Sequence, residues 1–178
     1  MILEKSFFGG GKELVKNMRI LTIGFSVYLL SKELREKWEN YVWQSAAAGI
    51  SIFLILYIFV DVINLILLAA AGSSAFTVFA LPNNRTAKIR NLNGSYIICV
   101  IVGLACSVFG NIWTSGGLAV GFAAFLMVIT DTEHPPAAGA ALYLSAEPTV
   151  KGAIFILIAS VVFSVLRYLL SPWLKDLA

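Results

Sequence analysis

The sequence predicts an all-α, polytopic transmembrane helical bundle with discontinuous half-helices at Gly72–Leu81 and Pro135–Leu144. Three observations predict it. Of 178 residues, 59% are hydrophobic and only 13% charged, against roughly 25% charge in soluble domains. A soluble fold with so few charges would expose large apolar patches. Two long runs, Ser45–Leu81 and Ser95–Thr130, lack Lys, Arg and Glu. Finally, Gly and Pro interrupt apolar segments that are too short to cross a bilayer alone.

Residues 1–41 are charge-rich and amphipathic, and read as a cytoplasmic or interfacial segment; 42–178 read as the membrane domain. Within the first part, Met18–Ser31 is shorter than the ~20 residues a span needs, which favours a helix lying on the membrane surface. No cleavable signal is expected, because the start lacks a sufficient apolar core and an A-x-A site. Ser45–Leu81 as one helix would reach about 55 Å, far beyond a hydrocarbon core of about 30 Å. One span, Val42–Leu68, a break at Gly72-Ser73-Ser74 and a short helix stopped by Pro82 is the economical solution. Trp38, Tyr41 and Trp43 mark the entering interface.

Pro82–Gly94 reads as a loop of turn formers carrying Arg85, Lys88 and Arg90. Tyr96–Phe109 is the next span, and Gly110–Gly117 divides it from Leu118–Thr130, which at about 20 Å is too short to cross alone. Pro135-Pro136 then remove two backbone donors, so the helix must break before them, and a new one, Pro135–Leu144, opens there. Gly152–Leu170 is the last span. Each half thus offers a span, a break, a short small-residue helix ended by proline and another span, a weak internal repeat.

Seven of the 13 Lys and Arg lie within the first 37 residues, and three more in the Arg85–Arg90 loop. Beside apolar runs this places both segments on the cytoplasmic side of a plasma (inner) membrane. Aromatics do not interleave the basic set, so no nucleic-acid partner is expected. Cys99 and Cys106 share a helical face about 10 Å apart, too far for a disulfide, and read as small buried apolar residues.

The strongest candidate for chemistry is the run Thr132, Glu133, His134, Pro135, Pro136, Ala137, Ala138 and Gly139, preceded by Asp131. A helix N-terminus leaves amides without intrahelical partners and carries partial positive charge, which suits a small anion. The alternative is a hairpin at the membrane surface with no ligand. Gly72-Ser73-Ser74-Ala75 is the second candidate, either as a capped helix start or as small residues that let helices approach. His134 either donates to an anion, relays a proton or fastens the break; no second His or Cys accompanies it, so no metal and no cofactor are expected. Asp61 shares a helical face with Tyr57 and Asn64 and reads either as a gate or proton site or as an ion-pair partner of a loop cation.

These residues resemble the HPP family of small integral membrane proteins, whose signature is His134-Pro135-Pro136-Ala137. Trp43-Gln44-Ser45, Gly72-Ser73-Ser74-Ala75 with Phe79-Ala80-x-Pro82, and Arg90-Asn91-x-x-Gly94 fit the same pattern over Trp43 to Leu144. The resemblance implies four membrane-spanning helices and, from bacterial and chloroplast-envelope members associated with nitrite, a small-anion transporter. One departure stands out: many members carry a base where this chain has Asp131.

The expectation is therefore an anion transporter or channel, not an enzyme, with a nitrite-like ion held by Ser73, Ser74, Thr132 and the 134–139 segment. Asp61, Asp131 and Glu133 would gate it or relay protons. So few helices in one chain suggest a homo-oligomer in the bilayer. The rivals are a proton or cation pathway through those three acids, a non-transporting scaffold, and a membrane-embedded enzyme around His134.

Overall fold

A computed structural model describes residues 38–57 and 65–177. Met18–Ser31, Asp61 and Asn64, with the roles expected of them, lie outside the described residues. The described chain is helical: α1 (38–57), α2 (Leu65–Ala80), α3 (Ile89–Cys106), α4 (Ile112–Ile129), α5 (Ala137–Ala146) and α6 (Val150–Leu170). Among the described residues, α3 with the short turn that prolongs it to Phe109, α4 and α6 are long and apolar enough to cross a membrane.

The boundaries follow from local chemistry, and several differ from expectation. α3 begins at Ile89, not Tyr96, so Arg90, Asn91 and Gly94 belong to its first turns rather than to a loop. Before it, Asn84 accepts from the Thr86 amide and closes a single 3₁₀ turn over Arg85–Ala87. The divider at 110–117 shrinks to one tight corner. Gly110 takes the left-handed conformation (φ 65°) that glycine adopts without strain, and Asn111 caps α4 by accepting from the Trp113 amide. α4 therefore has 18 residues and is no half-length segment. Thr149 caps α6 through the Gly152 amide.

The expected break at Gly72-Ser73-Ser74 is absent, because α2 runs unbroken through it. Ser74 Oγ lies 2.9 Å from the Ala70 carbonyl, one turn back, so this serine is accommodated inside the helix and caps nothing. The internal repeat consequently loses its first half-helix. The interruption before α5 is present: 130–136 are non-helical.

α5 is the centre of the bundle, packed against α2, α3 and α4. Its Ala137, Ala140, Ala141 and Leu144 are buried. Small residues on its neighbours make this possible: a Cβ on Gly103 of α3 would stand 2.7 Å from the Ala141 carbonyl oxygen. Side chains such as Val108, Trp113, Phe125, Ile129 and Val161 point outward from the long helices. An apolar exterior around a core where small residues let helices approach is the arrangement of an integral membrane protein.

Among the described residues, Arg85, Lys88, Arg90, Arg167 and Lys175 lie at one end, whereas Lys151 opens α6 at the other. Arg167 of α6 donates to the Pro82 carbonyl, and the Leu177 amide donates to Ala80. Gln44 of α1 donates to the carbonyls of Phe79 and Lys175 and accepts from the Lys175 amide. The ends of α2 and α6 and the start of α1 are thereby fastened beside the loop that bears Arg85 and Lys88. Cys99 and Cys106 are buried free thiols.

Candidate functional site

Two consecutive prolines pose an accounting problem for the backbone around 130–136. Pro135 and Pro136 have no N–H, and the bend takes other amides away from the carbonyls they would serve in a helix. The first turn of α3 answers with side chains. Arg90 donates to the carbonyls of Thr130 (3.2 Å) and Asp131 (2.9 Å), and Asn91 donates to that of Glu133 (3.2 Å). One turn further, Gly94 leaves room for Thr132, whose Cγ2 would lie 2.7 Å from any Cβ there. Thr130 and Thr132 join their hydroxyls at 2.8 Å. The segment Arg90-Asn91-x-x-Gly94 is thus the seat of the interruption.

These contacts also fix its depth. Beyond the seat, His134 lies beside Tyr96 with ring centroids 5.6 Å apart, about 10 Å along α3 from Ile89. Ala141 stands opposite Gly103, about 21 Å along the same axis. The chain therefore descends from an exposed rim at Asp131 into the bundle before α5 starts.

His134 is fully buried. Its Nδ1 is 2.8 Å from the Thr86 carbonyl and its Nε2 2.9 Å from Ser74 Oγ, which in turn is 2.6 Å from Tyr96 Oη. A carbonyl only accepts, so Nδ1 carries the hydrogen of the neutral ring and Nε2 is the acceptor for Ser74. Burial pushes the His134 pKa down from 6.5 to about 4, with the Thr86 carbonyl pulling the other way. Tyr96, Ser74 and His134 form one buried chain of polar groups linking α3, α2 and the interruption.

The other expected site residues divide sharply. Ser73 is exposed on α2 and stands outside the buried chain. The amides of Ala137, Ala138 and Gly139 are not free: they donate to the carbonyls of His134, Pro135 and Pro136 at 3.0–3.1 Å. Pro135 and Pro136 therefore shape the start of α5 by offering carbonyls as well as by lacking N–H groups. Thr132 supports the seat, its amide donating to Met127. Asp131 is ion-paired with Arg85 and Arg90, and Glu133 lies 3.7 Å from Arg85. Both acids stand at the rim, outside the buried chain.

Tyr96, Thr86, Asn91 and Gly94 also meet at the interruption, and the sequence reading does not name them among its candidate ligands. A helical reading of 90–96 would have found two of them, since Asn91 and Gly94 stand at i and i+3 on one face. The Thr86 carbonyl has no signal in the sequence, since any residue supplies one.

Neither the curated proteins nor the solved structures compared with the chain yield a match. The family profile described as "HPP, transmembrane region" does match, over residues 33–175. That span contains all four segments that converge on the interruption or brace it, and the chain belongs to the HPP transmembrane region family.

Proposed function

We propose that this membrane protein moves a small monovalent anion such as nitrite across the plasma (inner) membrane, with its cation-rich end on the cytoplasmic side and several copies forming the working unit. The observation that carries the reading is the fully buried Tyr96–Ser74–His134 chain beside an interruption within an otherwise apolar bundle. Buried polar groups are costly in such surroundings and mark pathways more often than scaffolding. The anion takes the place of the Ser74–His134 contact, held by the hydroxyls and the imidazole rather than by backbone amides, which are already committed to turns.

Two rivals lose ground on the same geometry. A cation route through Asp131 and Glu133 would use acids that Arg85 and Arg90 already neutralise. Ser74 and His134 stand at the spacing of a nucleophile and its base, which gives the enzyme reading a foothold. The group behind the imidazole is a neutral carbonyl, however, and not the carboxylate that would stabilise an imidazolium during attack by the hydroxyl.

The test is nitrite uptake by purified protein in liposomes. Nitrite flux above that of protein-free vesicles is expected, with most of it lost in Ser74→Ala and His134→Ala. A flux that ignores nitrite and follows a cation gradient would overturn the proposal.

A further inference from the structure

We propose that His134 carries one proton together with each anion, so that the protein performs electroneutral anion–proton symport. The inference rests on the anion-transport reading above and adds to it the identity of the second substrate.

The argument begins with charge. An anion leaving water for a buried site needs a positive partner. Among the described residues, the groups around His134 at the depth of Ser74 and Tyr96 are few. α2 contributes Ser74 and has no ionisable residue between Leu65 and Ala80. α3 contributes Tyr96, with the Cys99 thiol one turn further. The loop contributes the neutral Thr86 carbonyl, and the first turn of α5 contains only Ala and Gly. The charged neighbours, Arg85, Arg90, Asp131 and Glu133, are at the rim and paired with one another. Among the described residues, His134 is the group here that becomes a cation by gaining a single proton.

The hydrogen-bond pattern already contains both states. Ser74 has one hydroxyl hydrogen and two acceptors within reach, His134 Nε2 at 2.9 Å and the Ala70 carbonyl at 2.9 Å. With a neutral ring, the serine donates to Nε2. Once Nε2 binds a proton, the serine turns to Ala70, the backward bond that helical serines make, and no donor is orphaned. Tyr96 donates to Ser74 Oγ in both arrangements of the empty site, and the Ser74 hydrogen turns to the anion when one enters. Nδ1 keeps its bond to Thr86 throughout, so the imidazolium stays in place.

Burial holds the empty site neutral, as the lowered pKa of His134 expresses. An anion at Nε2 reverses that preference, and by linkage the proton tightens the anion by the same factor. Neither crosses alone. The proton comes from water on the entry side, resides on Nε2 and returns to water on the exit side with the anion.

The experiment uses wild-type proteoliposomes with an internal pH dye and the membrane potential clamped by potassium and valinomycin; protein-free vesicles correct for leak of the protonated acid. The expected result is one proton per nitrite, a rate indifferent to the potential, and nitrite accumulation of about tenfold per unit of imposed pH gradient. Nitrite flux that follows the potential without moving the dye overturns symport and leaves anion transport standing. No nitrite flux overturns both. His134→Gln, which keeps a hydrogen-bonding side chain without the titration, is expected to lose accumulation under a pH gradient; retained accumulation overturns the assignment of the proton to His134.

Discussion

His134 Nδ1 lies 2.8 Å from the carbonyl oxygen of Thr86, and this single contact decides which way the imidazole faces. Because the oxygen cannot donate, the ring hydrogen sits on Nδ1, and Nε2 is left to meet Ser74 on the opposite side. A loop carbonyl therefore sets the chemistry of a side chain 48 residues away in sequence, and through it the link between α2 and the interruption.

Stability should depend on pH through His134. In the unfolded chain this group binds a proton near pH 6.5, whereas burial delays that to about 4 in the fold. As pH falls through this window the unfolded state gains a proton that the folded state lacks, so folded stability declines; above it neither state is protonated and the dependence vanishes. The loss across the window is on the order of 3 kcal/mol. Thermal unfolding in detergent without nitrite should show a midpoint that drops between about pH 6.5 and about pH 4, with a flatter profile in His134→Gln. A wild-type midpoint no more pH-sensitive than that of the variant would mean that the ring titrates normally.

Gly94 and Thr132 should be energetically coupled. A Cβ at position 94 would stand 2.7 Å from Thr132 Cγ2, so Gly94→Ala must push the threonine out of its seat. Overpacking of this kind costs about 1–3 kcal/mol. Thr132→Ser removes Cγ2 and keeps the hydroxyl that meets Thr130. The double variant should recover most of what Gly94→Ala loses. Unfolding midpoints of the four proteins form a double-mutant cycle, and simple additivity would show that the two positions do not share the contact.

The parts of this fold legible in the sequence were those that composition and proline dictate. Pro135-Pro136 forbid a continuous helix whatever surrounds them, and the expected interruption is there. Gly72-Ser73-Ser74 permits a break without requiring one, and α2, packed against α5, is continuous through it. Ser74 reads from the sequence as an anion ligand or a cap; in the fold it caps nothing and faces His134 from mid-helix. The amides of 137–139 looked bare because helix starts generally are, but carbonyls of the preceding turn take them up. That compensation depends on how the chain enters α5, which periodicity does not encode. Arg90 and Asn91 were invisible as ligands of the break because turn-forming neighbours suggested a loop, where side chains have no fixed direction.

Asp131 provides the last prediction, and it separates charge from structure. Its backbone is left-handed, with φ 57°, and its side chain is paired with Arg85 and Arg90. Asparagine tolerates that conformation nearly as well as aspartate does, so Asp131→Asn removes the charge and keeps the turn. All three side chains are more than half exposed, and exposed pairs contribute only about 0–1 kcal/mol, so the unfolding midpoint should barely move. The potential at the rim should change much more, because two guanidinium groups lose their nearest counter-charge. Nitrite uptake should therefore rise in Asp131→Asn at low ionic strength, and the gain should fade as salt shortens the screening length to about 10 Å near 0.1 M. Asp131→Ala provides the contrast: it frees the same cations but places a residue poorly suited to positive φ at the turn, so uptake and stability should fall out of step. A well-folded Asp131→Asn whose uptake matches wild type at every salt concentration would put the anion's entrance somewhere other than the Arg85–Arg90 rim.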